Sequence, residues 1–142
     1  MHSIAERIID VCDDGVIFAD RAGIIRLFNS GAERIFGHRA DQAVGKSLDL
    51  IIPEKNRTQH WLGYQRVMES GVTSYAGSLL SVPALRADGT RISVSFTVAL
   101  LRDELDRVEG IRAILRDMSD QRAEVQALRH ELAELRGLMD RP

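Results

Sequence analysis

The chain has a single cysteine, Cys12, among 142 residues. No internal disulfide can form, which fits a reducing, cytoplasmic setting. It has no excess of charge of either sign: 19 Lys plus Arg stand against 21 Asp plus Glu, a formal net charge of −2. That balance leaves no broad basic field and argues against direct nucleic-acid binding. The arginines are interleaved with acids, and no helix-turn-helix pattern occurs. No apolar run is longer than the four residues Val98-Ala99-Leu100-Leu101, too short to span a membrane. The opening Met1-His2-Ser3 has neither the charged nor the apolar region of a signal peptide. There is no Gly-rich phosphate loop and no Ser, His and Asp set in a nucleophile motif. His2 and His38 have no partner at metal-ligand spacing. No enzyme is expected from these residues.

What is present is material for one packed domain. The composition is 44% hydrophobic, enough for a core and incompatible with disorder. Ile4, Ile8, Ile9 and Cys12 fall near helical spacing, so residues 2–14 predict a short amphipathic helix. It should stop around Asp13-Asp14-Gly15, where glycine suits a left-handed helix end. Val16 to Ala19 and Ile24 to Phe28 read as two strands joined by a turn at Asp20-Arg21-Ala22-Gly23. Asn29 is a good N-cap for a helix over Ser30 to Phe36, and Gly37 is a good stop. A second helical pattern runs from Glu54 to Ser70, placing His60, Tyr64, Val67 and Met68 on one stripe before Gly71 closes it.

Tyr75 to Leu85 and Arg91 to Leu101 predict longer strands around the hairpin signal Asp88-Gly89. In the second, Ile92, Val94, Phe96 and Val98 alternate with Ser93, Ser95 and Thr97, giving one buried and one polar face. Asp103 to Asp106 is a further turn, and Val108 to Leu115 the fifth strand. The expected class is α+β: a five-stranded antiparallel sheet with short helices on one face. Residues 15–118 would form this domain, with 1–14 and 119–142 as flanking helices.

The C-terminal stretch differs. Met118, Gln121, Val125, Leu128, Leu132, Leu135 and Met139 repeat at alternating spacings of three and four, an a/d heptad seam with a polar lapse at Gln121. Arg122, Arg129 and Arg136 then occupy e positions, and Glu124 and Glu131 occupy g. A parallel homodimer through Val125, Leu128, Leu132 and Leu135 would set Glu124 opposite the partner's Arg129. Such exposed pairs are worth only about 0.2–1 kcal/mol each, so they choose orientation more than they stabilise. The alternative is a helix folding its apolar face onto its own domain. His130 is a solvated f position, and the phospho-acceptor box faintly suggested by His130-Glu131-Leu132 is broken by Ala133-Glu134-Leu135.

Several local motifs, in order, resemble those of PAS domains, the sensory modules of bacterial signalling proteins. They are Gly15-Val16-Ile17-Phe18-Ala19-Asp20, Gly23-Ile24-Ile25-Arg26-Leu27-Phe28-Asn29, Ala32-Glu33-Arg34-Ile35-Phe36-Gly37, Val44-Gly45-Lys46-Ser47, Pro53-Glu54, Arg86-Ala87-Asp88-Gly89-Thr90 and Arg116-Asp117-Met118-Ser119. The last resembles the joint at which such domains hand over to a signalling helix. The resemblance implies the PAS fold, a homodimer and a downstream signalling protein or domain.

Pro53 to Gly77 is most similar to the haem-binding PAS domains of rhizobial oxygen-sensing kinases, through Pro53-Glu54, Arg57-Thr58-Gln59-His60, Arg66 and Gly77. By that resemblance His60 is the proximal ligand of haem b, and Arg66 pairs with a propionate. Leu80 stands where the oxygen sensors carry their distal arginine. Tyr75, Phe96 and Val98 replace small aliphatic residues over the haem, and Gly63 replaces a tyrosine. Such a distal side favours carbon monoxide or nitric oxide over dioxygen, with Tyr75 the nearest donor. Without iron, His60 would be a cavity wall or a polar partner for a backbone carbonyl. The flavin photoadduct of light-sensing relatives is excluded, because Gly45-Lys46-Ser47-Leu48-Asp49 holds no cysteine. Two further readings stand beside the sensor. One is a ligand-free dimerisation module or adaptor, its pocket filled by Phe96, Tyr75 and Met68. The other is the sensor piece of a larger kinase, cyclase or transcription regulator.

Overall fold

The computed structural model describes residues 2–73 and 77–140. Five strands form one antiparallel sheet: β1 (Gly15–Asp20), β2 (Ile25–Phe28), β3 (Leu80–Leu85), β4 (Arg91–Arg102) and β5 (Val108–Asp117), in the spatial order β2-β1-β5-β4-β3. The helices are α1 (Ile4–Val11), α2 (Ser30–Phe36), α3 (Ala40–Ala43), α4 (Arg57–Ser70) and α5 (Ser119–Met139), with 3-10 turns at Leu48–Ile51 and Glu54–Asn56. The core lies between the sheet and the helices α2, α3 and α4. Ile17, Ala19, Val94 and Leu115 of the sheet pack there with Phe36, Ile51, Tyr64 and Met68.

Pairing of β1 with β5 sets Gly15 opposite Leu115. The start of the domain and its exit therefore lie side by side at one end of the sheet. Arg116 clamps the two with a forked ion pair to Asp14, at 3.0 and 3.2 Å.

Helix α2 has the predicted limits. Asn29 Oδ1 accepts the Ala32 amide at 2.9 Å, and Gly37 closes the helix in the left-handed region, with φ 78°. α1 ends differently from expectation: its C-cap is Cys12, and Gly15 belongs to β1. The reason is that its last carbonyls have side-chain partners on α2. Asn29 Nδ2 donates to Ile9 and Asp14, Ser30 Oγ to Asp10, and Arg34 to Cys12, so no glycine cap is needed. Gly31 permits this approach, since a Cβ there would lie 2.1 Å from the Asp14 carbonyl oxygen.

β3 begins at Leu80 rather than Tyr75; residues 74–76 lie outside the described ones, and Gly77 turns the chain with φ 77°. β3 is an edge strand, which accommodates Pro83, a residue without an amide to donate. Residues 54–56 wind as a 3-10 turn before α4. β5 runs two residues beyond expectation, to Asp117. In β4 the polar face is not uniformly wet: Ser95 is buried, its hydroxyl 3.0 Å from that of Ser81. No helix among the described residues is long and apolar enough to cross a membrane.

Candidate functional site: an apolar cavity under the sheet

Between the sheet and α4 lies a cavity of about 470 Å³, within the range of small-molecule pockets. Its floor is Ile17 and Ala19 of β1, Val94, Phe96 and Val98 of β4, and Ile111, Ala113 and Leu115 of β5. Leu80 and its neighbours on β3 close one side. Leu48, Ile51 and Ile52 and the α4 residues His60, Gly63, Tyr64 and Val67 form the roof. The polar side chains among these walls are Gln59, His60, Tyr64, Thr73 and Ser81; no Lys, Arg, Asp or Glu lines the cavity among the described residues.

The α4 stripe arises as its spacing predicts: His60, Tyr64 and Val67 face the cavity, while Met68 is buried in the core beside it. Two side-chain anchors fix the helix rotation. The Tyr64 hydroxyl donates to the Asp20 carbonyl oxygen at 2.5 Å, and burial and the nearby Asp20 charge push its ionisation well above the ordinary phenol range. Trp61 Nε1 donates to Asp49 Oδ1 at 2.7 Å, tying α4 to the preceding 3-10 turn. The rings of Trp61 and Tyr64 flank His60, with centroids 4.7 and 5.7 Å from it.

His60 is the chemically distinctive group. Its Nδ1 is buried and has no hydrogen-bond partner. Burial lowers its pKa, with the Asp49 charge opposing the shift in part, which favours the neutral imidazole. A neutral imidazole in an apolar chamber is a metal-ligating or hydrogen-bonding group awaiting a partner.

Of the residues singled out in the sequence, His60, Leu80, Phe96 and Val98 come together around this cavity. Arg66 does not: it is exposed on α4 and is not among the lining residues. Tyr75 lies outside the described residues. Sequence reasoning missed Gln59, Ser81 and the Asp49–Trp61 tie. Trp61, the only tryptophan, was a signal, because a tryptophan near a cavity usually needs an acceptor for its N–H.

The residues fit haem at its iron end. The His60 imidazole, whose Nδ1 no hydrogen bond engages, lines the cavity and can offer a ring nitrogen, and the walls are mainly apolar. Arg66, which the resemblance assigns to a propionate, lies outside the cavity.

At the domain exit the Met118 amide donates to the Ser93 carbonyl oxygen at 2.8 Å, and the Ser93 amide donates to Ser119 Oγ at 3.1 Å. The start of α5 is thus bolted to β4, the strand that carries Val94, Phe96 and Val98 into the cavity. Beyond that joint α5 is exposed throughout: Val125, Leu128, Leu132 and Leu135 are 45%, 58%, 48% and 54% exposed.

The sequence profile of the PAS fold matches residues 5–118. The sensor protein FixL of Bradyrhizobium diazoefficiens is 26% identical over 90% of this chain and 26% of its own length, in keeping with the likeness to rhizobial oxygen sensors. The cell-division control histidine kinase PdhS of Brucella ovis is 28% identical over 79% of this chain and 10% of its own. The chain thus spans about a quarter or less of these curated relatives. A crystal structure of a PAS domain from Colwellia psychrerythraea superposes with a TM-score of 0.71 at 19% identity, covering 82% of this chain and 95% of that one.

Proposed function

The chain belongs to the PAS family, and from that premise we propose that it is a cytoplasmic sensory module whose cavity takes up haem b through His60. In this reading it passes the state of that site to a parallel pair of C-terminal helices. The observation that carries the proposal is the imidazole of His60 on the wall of a mainly apolar chamber, kept neutral by burial and with no hydrogen bond engaging its Nδ1. Haem would supply an iron that binds a diatomic gas.

The chain's own residues do the rest. His60, held neutral by burial, donates a ring nitrogen. Phe96, Val98 and Leu80 keep water out and offer no hydrogen bond to a gas, which favours carbon monoxide or nitric oxide over dioxygen. Arg66 stands outside, where only carboxylates reaching out of the cavity would meet it. Strain on β4 passes to α5 through the bonds of Ser93 to Met118 and Ser119. A second copy covers the exposed seam, and a downstream signalling domain or protein reads it. The role is sensory and not catalytic.

The test is an absorption spectrum of protein reconstituted with hemin, before and after dithionite and carbon monoxide. The expected result is a Soret band that shifts with the gas and is lost in His60→Ala. A band retained in His60→Ala ends the assignment of His60.

The lack of a lining cation among the described residues favours a second reading, an apolar metabolite in place of haem. Protein that stays colourless with hemin but yields a bound small molecule by native mass spectrometry would establish it. The ligand-free module is less well supported, since Met68 packs into the core and not into the cavity.

A further inference from the structure

Asn56 stands at the N-cap of α4, where an asparagine ordinarily turns its side-chain oxygen back onto the first free amides of the helix. Here its backbone is already helical, with φ −99° and ψ −7°, and its side chain makes no capping bond. Its Oδ1 is buried and without a hydrogen-bond partner. One turn later, Nδ1 of His60 is in the same condition.

Residues four apart on a helix are neighbours, with Cβ atoms about 5–6 Å apart. The amide oxygen can only accept, and the imidazole nitrogen can donate in one of its two neutral tautomers. No bond joins them in this structure; a Cβ spacing of that order lies within the combined reach of an asparagine and a histidine side chain. Asp49 acts on His60 through its charge only, and its Oδ1 already accepts Trp61 Nε1.

We infer that Asn56 is the positioning residue of His60: its Oδ1 accepts the Nδ1 proton, fixes the Nδ1–H tautomer, and leaves Nε2 as the lone-pair donor offered to the cavity. Ligating histidines generally depend on such a partner for the other ring nitrogen. The inference rests on His60 being the ligand-contacting group, but not on the ligand being haem.

Long-range proton–nitrogen correlation spectra of the ligand-free protein above neutral pH read the tautomer directly, with His60 assigned by its loss in His60→Gln. The expected result is an Nδ1–H ring in the parent and in Asn56→Asp, which keeps an acceptor oxygen. In Asn56→Ala the ring should revert to a mixture or to Nε2–H. Asn56→Ser retains a polar side chain that can cap the helix but is too short to reach His60; it should behave as Asn56→Ala does, which covers failure of the alanine variant to fold.

An Nε2–H ring in the parent, or an Nδ1–H ring unchanged in both short variants, overturns the inference. Hemin titration of the same samples separates it from the haem reading. If hemin binds, the short variants should weaken it by about 10–100-fold. If the parent takes up no hemin yet shows the Asn56-dependent tautomer, the haem reading fails and the role of Asn56 stands.

Discussion

Asn29 holds more of the structure than any other side chain described. Its Oδ1 accepts the amides of Val16 at 2.7 Å and Ala32 at 2.9 Å, and its Nδ2 donates to the carbonyl oxygens of Ile9 and Asp14. One amide group thus caps α2, pins the first strand and receives the end of α1, while itself buried. Asn29→Ala removes the cap and strands the buried Val16 amide, so it should cost about 2–4 kcal/mol, read as a lowered midpoint of urea unfolding. The capping role was legible, because an Asn before a helical pattern has one common use. The other bonds were not, since they join residues 13 to 20 positions apart. The candidate site divides in the same way. His60 and its stripe follow from helical spacing, whereas the stranded atom of Asn56 appears only when the turn before α4 is built.

At the scale of elements, short-range chemistry was read well and long-range contacts were not. The β1–β2 turn shows why such turns are legible: Asp20 Oδ1 accepts the amides of Ala22 and Ile24, and Oδ2 accepts from Arg26 at 2.8 Å. Burial alone opposes ionisation of Asp20, but the Ile24 and Ala22 amides and the Arg26 guanidinium outweigh it and hold the carboxyl below the usual aspartate range. Between the folded and unfolded values the unfolded chain holds more protons, so this contribution is complete above the unfolded value, about 3.9, and disappears as pH falls through the folded one. Asp20→Asn should therefore be less stable than the parent at neutral pH and show a shallower loss below about pH 4. Unfolding followed by circular dichroism across that range measures both. By contrast, the end of α1 and the start of β3 escaped the sequence. α1 is finished by side chains of α2, and β3 starts where pairing with Phe96 begins, so neither boundary is written in its own residues.

For the whole molecule, topology matters most at the two ends of the domain. The pairing of β1 with β5 brings α1 and α5 out together, and both carry apolar side chains left exposed among the described residues: Ile4, Ile8 and Val11 on the first, Val125, Leu128, Leu132 and Leu135 of the heptad seam on the second. The alternating three-and-four spacing made the seam legible, and its exposure in the isolated chain is the reason to expect a second copy. Leu128→Asp or Leu132→Asp, by placing charges in that seam, should shift a sedimenting dimer towards monomer. An unchanged dimer would assign the association to the domain or to α1. The bond between Ser93 and Ser119 has one further consequence, a mechanical one. α5 has 21 residues and is therefore about 30 Å long, held to its domain at one end only. It is a lever with its fulcrum on the strand that lines the cavity. A tilt of about 5° at Ser119 carries Met139 through roughly 2.6 Å, about half the helix pitch of about 5.4 Å. In the proposed sensor, a shift of a few tenths of an ångström in β4 that tilted this helix would be magnified several-fold at its far end.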